Sequence, residues 1–385
     1  MGCRDREVDP GNAIGELQGG TELSKKLITL TTVLVVLLAG AATAGDLHYK
    51  VYGTAHVSTD MIDNGDESSI FVASNTSRVG IKGMYETDVD QLDVIFKYES
   101  WANFNDDEPG TNMFSTRDSW GGVRGDWGEV TWGRRNTPFK MTGYRAINIF
   151  RERIGDYRNA TAYWGAAGAN WDGRVDNSIY YLSPMLGEMV HVDLQYIPEE
   201  GMEDATFFSG SATYKKDGIY VSAAFETHGA GLEPAYGDVG PDDAESSTGI
   251  RAAARYDGER FMVGALYQTV SNVGGYDGYD LTVMGGAAQF AVAPMWLLKG
   301  HFFMMDPDME GSEDIGGTLM AFGVDYVLSK RATLYVMYAM TSSDDNAYYT
   351  IGRGGHGQTY GWTGADGEQV GEGQTGLSVG LHATW

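Results

Sequence analysis

Gly376-Leu377-Ser378-Val379-Gly380-Leu381-His382-Ala383-Thr384-Trp385 ends the chain as a single alternating run. Leu377, Val379, Leu381, Ala383 and Trp385 share one face, and Ser378, Gly380, His382 and Thr384 the other, the two-residue period of a strand. A chain that stops in mid-strand leaves an unpaired sheet edge, a hazard in water. The hazard vanishes if this strand pairs with the first and closes a barrel. The first alternating run fits that role: Leu47, Tyr49, Val51, Gly53, Ala55 and Val57 oppose His48, Lys50, Tyr52, Thr54 and His56.

The front of the chain says where such a barrel sits. Lys25 and Lys26 precede the apolar run from Leu27 to Leu38, and Ala42-Thr43-Ala44 follows as a small-x-small site. This reads as a secretory signal over residues 25–44, cleaved between Ala44 and Gly45. The run is short for a membrane-spanning helix of about 20 residues. Residues 1–24 are polar and acidic and read as an extension ahead of the true start, so residues 45–385 form a single barrel domain. Cleavage removes Cys3, the one cysteine, and with it any disulfide or thiolate metal site. Fifty-four Gly against 9 Pro, with 23 Tyr, is a β composition. A net charge of -26 excludes nucleic acid as a partner, because phosphate contacts need a basic surface.

Turn spacing separates a membrane barrel from a soluble sandwich. Tight turns fall at residues 87–90, 125–128, 183–187, 216–218, 257–259, 292–294 and 329–331. Between them lie longer, mostly acidic connections at 60–69, 105–115, 136–173, 198–204, 228–246, 271–279, 306–315 and 341–375. Short and long alternate without a break, which predicts sixteen antiparallel transmembrane strands with both termini on the short-turn side, the outer-membrane pattern. A barrel of that width holds water rather than a packed core. The fold therefore implies a pore, and the question becomes what narrows it.

The connection from Asn136 to Gly173 is the longest and the only long one rich in arginine. From Arg117 to Arg174 there are ten basic residues against six acidic ones, in a protein of strong negative charge. Such a loop makes sense folded inward, where its cations set a field for passing ions. The bland reading is that some of them pair with lumenal carboxylates, that Arg134 and Arg135 serve a strand end, and that Arg151, Glu152 and Arg153 pair locally.

Ser77-Arg78-Val79-Gly80-Ile81-Lys82-Gly83, Gly128-Glu129-Val130-Thr131-Trp132-Gly133-Arg134 and the aromatic C-terminus resemble the Gram-negative general porin family over nearly the whole mature chain. The resemblance implies a homotrimer of sixteen-stranded barrels in the outer membrane, each with its third loop folded in as an eyelet. It also implies insertion by the barrel assembly machinery through the last strand, and contact with lipid and lipopolysaccharide. It places the wall arginines of the constriction at Arg78, Arg117 and Arg174. Alternation puts Arg78 and Lys82 on the lumenal face independently. The full candidate set adds Lys50, Lys82, Arg134, Arg145, Arg151, Arg153, Glu152 and Asp156. With Glu152 and Asp156 set among more numerous basic residues on the loop, the constriction reads as basic and weakly anion-selective.

The other long connections carry acidic clusters such as residues 63–67, 106–108 and 242–245. They read as a solvated outer rim, with calcium or magnesium bridging to lipopolysaccharide as the rival reading and no other cofactor implied. The function expected is passive diffusion of small hydrophilic solutes and ions. A channel specific for sugars or phosphate-like anions is the alternative, a sugar path drawing on Tyr144, Phe150, Tyr157, Tyr163, Trp164 and Trp171. An outer-membrane hydrolase fits less well, since none of the seven His lies in a local nucleophile motif. A blocked structural anchor is the last rival.

Overall fold

The computed structural model describes residues 47–65, 67–104, 116–162, 171–198, 203–232, 243–357 and 371–385. The expected extension, the signal segment and the Ala44–Gly45 cleavage site lie outside these. The strands are β1 (Leu47–Asp63), β2 (Ser68–Ser74), β3 (Arg78–Glu86), β4 (Asp93–Trp101), β5 (Thr116–Gly125) and β6 (Gly128–Asn136). They continue with β7 (Arg174–Leu182), β8 (Val190–Ile197), β9 (Phe207–Lys216), β10 (Ile219–His228), β11 (Ser247–Asp257) and β12 (Phe261–Ser271). The last are β13 (Asp280–Ala293), β14 (Trp296–Asp308), β15 (Gly317–Ser329), β16 (Ala332–Ser343) and β17 (Thr375–Thr384).

All pairings are antiparallel, and β17 returns to β1 with Thr54 opposite Thr384 and Asp63 opposite Thr375. The terminal edge is thus closed, and Trp385 extends the seam by exchanging backbone hydrogen bonds with Gly53 at 3.2 and 3.4 Å. Gly53 leaves room for the terminal aromatic: a Cβ there would lie 2.0 Å from the Trp385 ring as it is placed. Segments β2 and β3 both pair with β1, along Val57–Asp63 and Leu47–Thr54 respectively. They are one stave broken at Asn75-Thr76-Ser77, so seventeen segments make sixteen staves. The break is bridged where the His56 N–H donates to Ser77 Oγ (3.0 Å) and the Asn75 N–H to the His56 carbonyl (2.7 Å).

Short turns and long loops alternate as the sequence predicts, with one difference. The connection expected at 60–69 is only Asn64 to Glu67, because β1 runs on to Asp63. Asp63 accepts from the Gly65 N–H at 3.0 Å and from Ser68 Oγ at 2.5 Å, and Gly65 takes a φ of 101°. Here the acidic cluster is turn chemistry.

The outer face is apolar, with Val51, Val72, Trp132, Phe322 and Val379 each more than half exposed, as a lipid-facing band requires. The inner face divides into two halves. On β4 to β9 it is polar, with Glu99, Arg117, Asp118, Asp193, Gln195 and Ser209. On β12 to β16 it is apolar: Leu266, Val270, Leu281, Val283, Phe303, Leu319, Met337 and Ala339 are buried in a core cluster with residues of loop 3. A buried apolar side chain of this size contributes roughly 1.5–3 kcal/mol. The lumen is therefore half filled by a packed loop and half open to water.

Candidate functional site

Loop 3, residues 137–173, begins with the helix α1 (Pro138–Ala146). Thr137 caps it, its hydroxyl accepting from the Lys140 N–H at 3.1 Å, and Pro138 stands where a missing N–H costs nothing. Phe139 N–H donates to Ser209 Oγ (3.1 Å), and Thr142 shares a hydrogen bond with Ser222 (3.0 Å), laying the helix across β9 to β12. Phe139, Ile147, Phe150, Ile154 and Tyr157 then face the apolar half of the wall. A short helix, α2 (Arg158–Thr161), follows.

Ion pairs fix the loop at its C-terminal end and near its tip. Arg251, wholly buried, grips Asp172 with both guanidinium nitrogens (2.6 and 3.0 Å) and donates to the Phe139 carbonyl at 3.1 Å. Arg153 makes the same forked contact with Asp325 at 2.6 and 3.2 Å, and Lys299 reaches that carboxylate at 2.5 Å. Gly155 sits so close to the wall that a Cβ would lie 2.6 Å from Ala339.

A second loop also enters the barrel, which no feature of the acidic-rim expectation foresaw. Residues 350–357 of loop 8 lie against the tip of loop 3. Gly155 N–H donates to the Ile351 carbonyl (2.7 Å), Arg353 N–H to Asn159 Oδ1 (2.8 Å), and Thr76 Oγ1 to the Gly355 carbonyl. His356 lies 3.1 Å from Asp60 on β1. The signal was compositional: Ile351-Gly352-Arg353-Gly354-Gly355-His356-Gly357 has no acid, unlike its neighbours.

Between these loops and the polar wall lies a cavity of about 340 Å³. Five of the predicted residues line it: Arg78, Arg117, Arg134, Arg174 and Glu152. The wall side is a charge ribbon. Arg117 Nε donates to Glu99 at 2.7 Å, Lys97 bridges Glu99 (3.6 Å) and Asp118 (2.7 Å), and Arg174 Nε donates to Asp118 at 2.7 Å. Arg78 approaches Glu99 at 3.9 Å. Arg134 instead pairs with Asp176. Lys97, Glu99 and Asp118 were missed as site residues, although Lys97 and Glu99 share the lumenal parity of their strand. Seven basic residues line the cavity against four acidic ones.

Glu152 faces this ribbon from loop 3. Burial alone would raise its carboxyl, but Arg78 and Arg158 outweigh that and hold it at about 2. Asp156 does not line the cavity. It is fully buried and grips Arg158 at 2.9 Å twice while accepting from the Glu152 N–H at 2.8 Å, so it shapes the loop tip from within. Burial, together with Arg174 and Arg158, drives the Lys140 amine well below its ordinary range.

The remaining predicted residues lie elsewhere. Lys50 and Lys82 are register partners, and Lys82 stands four residues along β3 from Arg78, roughly 13 Å toward the short turns. They do not line the cavity. Arg151 and Arg153 border a second cavity of about 280 Å³, and Arg145 and Arg151 a third of about 630 Å³, both below loop 3. Of the aromatics considered for a sugar path, Phe150, Tyr157 and Trp171 are buried, and Tyr163 and Trp164 lie outside the described residues. Among the described residues no group of three or more His, Cys, Asp or Glu gathers to hold a metal ion.

Known proteins share this architecture. A family model described as Gram-negative porin matches residues 30–346. A chitoporin of Vibrio furnissii is 28% identical over 228 residues, covering 56% of this chain, which thus spans only 60% of that relative's length. An anion-selective porin from Comamonas acidovorans superposes with a TM-score of 0.68 at 20% identity, covering 88% of this chain and 100% of that one. The trimer form of OmpT of Vibrio cholerae gives 0.62 at 17% identity over 88% and 99% of the two chains. A closed sixteen-stave barrel, a water-lined passage beside an inward-folded third loop and a family match over most of its length make this chain a member of the Gram-negative porin family, a channel of the outer membrane.

Proposed function

We propose that the chain is a trimeric diffusion porin, not an enzyme, whose constriction lies between Glu152 and the Arg78–Arg117–Arg174 wall and passes small anions more readily than cations. One observation carries the preference: with the buried Lys140 set aside, the cavity lining still has six basic residues, Arg78, Lys97, Arg117, Arg134, Arg158 and Arg174, against four acidic ones. The wall carboxylates Glu99 and Asp118 are each shared among several cations, so their charge is already answered. The Comamonas protein that shares the fold is described as anion-selective, which agrees with this reading.

A sugar path needs aromatic faces open to the water. Here Arg117 lies 4.3 Å from the Trp101 ring centre and Arg158 5.8 Å from that of Tyr144, so a guanidinium group that also lines the cavity stands over each of its two aromatics. This favours ions over oligosaccharides. Single-channel recording in planar bilayers under a KCl gradient tests the proposal. A reversal potential on the chloride side, with conductance in groups of three, supports it; a clear potassium preference refutes it.

A further inference from the structure

Below loop 3 the basic residues outnumber the acids more steeply than in the constriction. The cavities of about 280 and 630 Å³ are both bordered by Arg151 and Arg255. Around the larger stand Arg145, Arg151, Lys215 and Arg255 with Asp257 as the one carboxylate; around the smaller, Arg153 and Lys299 join Arg151 and Arg255, with Asp325 alone opposing them. These cations are not equally engaged. Arg255 is held by Asp257, and Arg153 and Lys299 share Asp325. Arg145 reaches Asp193 only at 3.9 Å. Arg151 has no carboxylate within ion-pair distance among the described residues; its Nε donates weakly to the Asn148 carbonyl at 3.4 Å, and its plane rests on Tyr144.

The position is as informative as the charge. Leu182, Ser183 and Met185 of the β7–β8 turn line the larger cavity, and Met262 and Thr333, both just past short turns, line the smaller. The cluster therefore opens toward the short-turn mouth, whereas Asp172, Gly173 and Gly355 of the long loops border the constriction above. A univalent ion needs one compensating charge. Several guanidinium groups around a small wet space, one of them without a carboxylate partner, suit an ion bearing two or more charges on planar or tetrahedral oxygens.

We infer that Arg151 and Arg255, with Arg145 and Lys215, form a second site that holds compact multivalent oxyanions at the short-turn mouth, separate from the selectivity-setting constriction. The inference deepens the anion-channel reading, because such ions then queue beneath a constriction that admits them.

The test is chloride current through oriented single channels, with hydrogen phosphate or succinate added to one side at a time. Either oxyanion blocks at lower concentration from the short-turn side than from the long-loop side. Arg151→Gln raises the half-blocking concentration about tenfold, the effect of one unit charge on a dianion roughly 6 Å away in water. Arg151→Lys, which keeps the charge, restores most of the block and shows that the channel is otherwise intact. Block by either oxyanion with this sidedness supports the site and names the oxyanion it takes. Block by neither, block equal from both sides, or block indifferent to Arg151→Gln overturns it. Reversal potentials are read in the same recordings, so a potassium-selective channel that still shows Arg151-dependent block refutes the selectivity reading and leaves this one standing.

Discussion

Replacing Glu152 by Gln removes one negative charge from the loop side of the constriction while keeping the side chain's shape. A cavity of about 340 Å³ equals a sphere roughly 4 Å in radius, so an ion at its centre passes roughly 5 Å from a lining charge, worth about 0.8 kcal/mol in water. Screening at 0.1 M salt reduces this to about 0.5 kcal/mol, a factor of roughly 2.3 for each ion. The change favours chloride and disfavours potassium together, so their permeability ratio shifts roughly fivefold toward chloride. The assay is reversal potential under a tenfold KCl gradient, with the wild-type channel beside the variant. Proton titration supplies an internal control. The folded carboxyl sits at about 2, below its unfolded value, so its charge and its contribution to loop attachment persist above the ordinary carboxylate range and vanish only as pH falls through about 2. The wild-type ratio should therefore show no Glu152 titration between pH 7 and 4. A Glu152→Gln channel with an unchanged ratio, or one shifted toward potassium, would refute the placement of this carboxylate on the ion path.

Arg78→Gln should move the ratio the other way by a similar factor of roughly five, read by the same reversal potentials. Asp325→Asn strips Arg153 and Lys299 of their shared carboxylate, a change of the kind that costs about 3–5 kcal/mol. It should appear as a lower melting temperature of the detergent-solubilised protein and noisier open-channel current. Gly155→Val forces side-chain atoms into Ala339 at a position with a φ of 62°, so loop 3 should lift from the wall and the single-channel conductance change, with the barrel's circular dichroism intact.

Barrel closure, stave number and the inward third loop were legible because alternation and turn spacing repeat sixteen times, and errors in one strand do not propagate. The apolar inner half of the wall was not legible. On β14, Phe302 and Met304 face outward and Phe303 and Met305 face inward, so the run has no alternation to read. Only the presence of loop 3 explains why the inward pair is apolar. Within the site, alternation pointed to Arg78 and the family resemblance to Arg117 and Arg174, but Lys50 and Lys82 could not be separated from Arg78, because parity tells the face of a strand and not the depth. Arg145 and Arg151 belonged to the right loop, yet nothing in their spacing told which side of it they would take. Loop 8 was hidden for a related reason: its inward segment carries no periodicity, only a local lack of acid.

The clasp between the two loops bears on the order in which the channel is made. Loop 3 is synthesised before β7, but its tip is tied to Ile351 and Arg353, which precede only the final strand. Until that part of the chain arrives, the tip lacks these partners, and β1 lacks the strand that completes its seam. Calibre and closure are therefore settled together at the end of assembly, so that a barrel stalled one strand short would leak through a wider and less discriminating bore than the finished one.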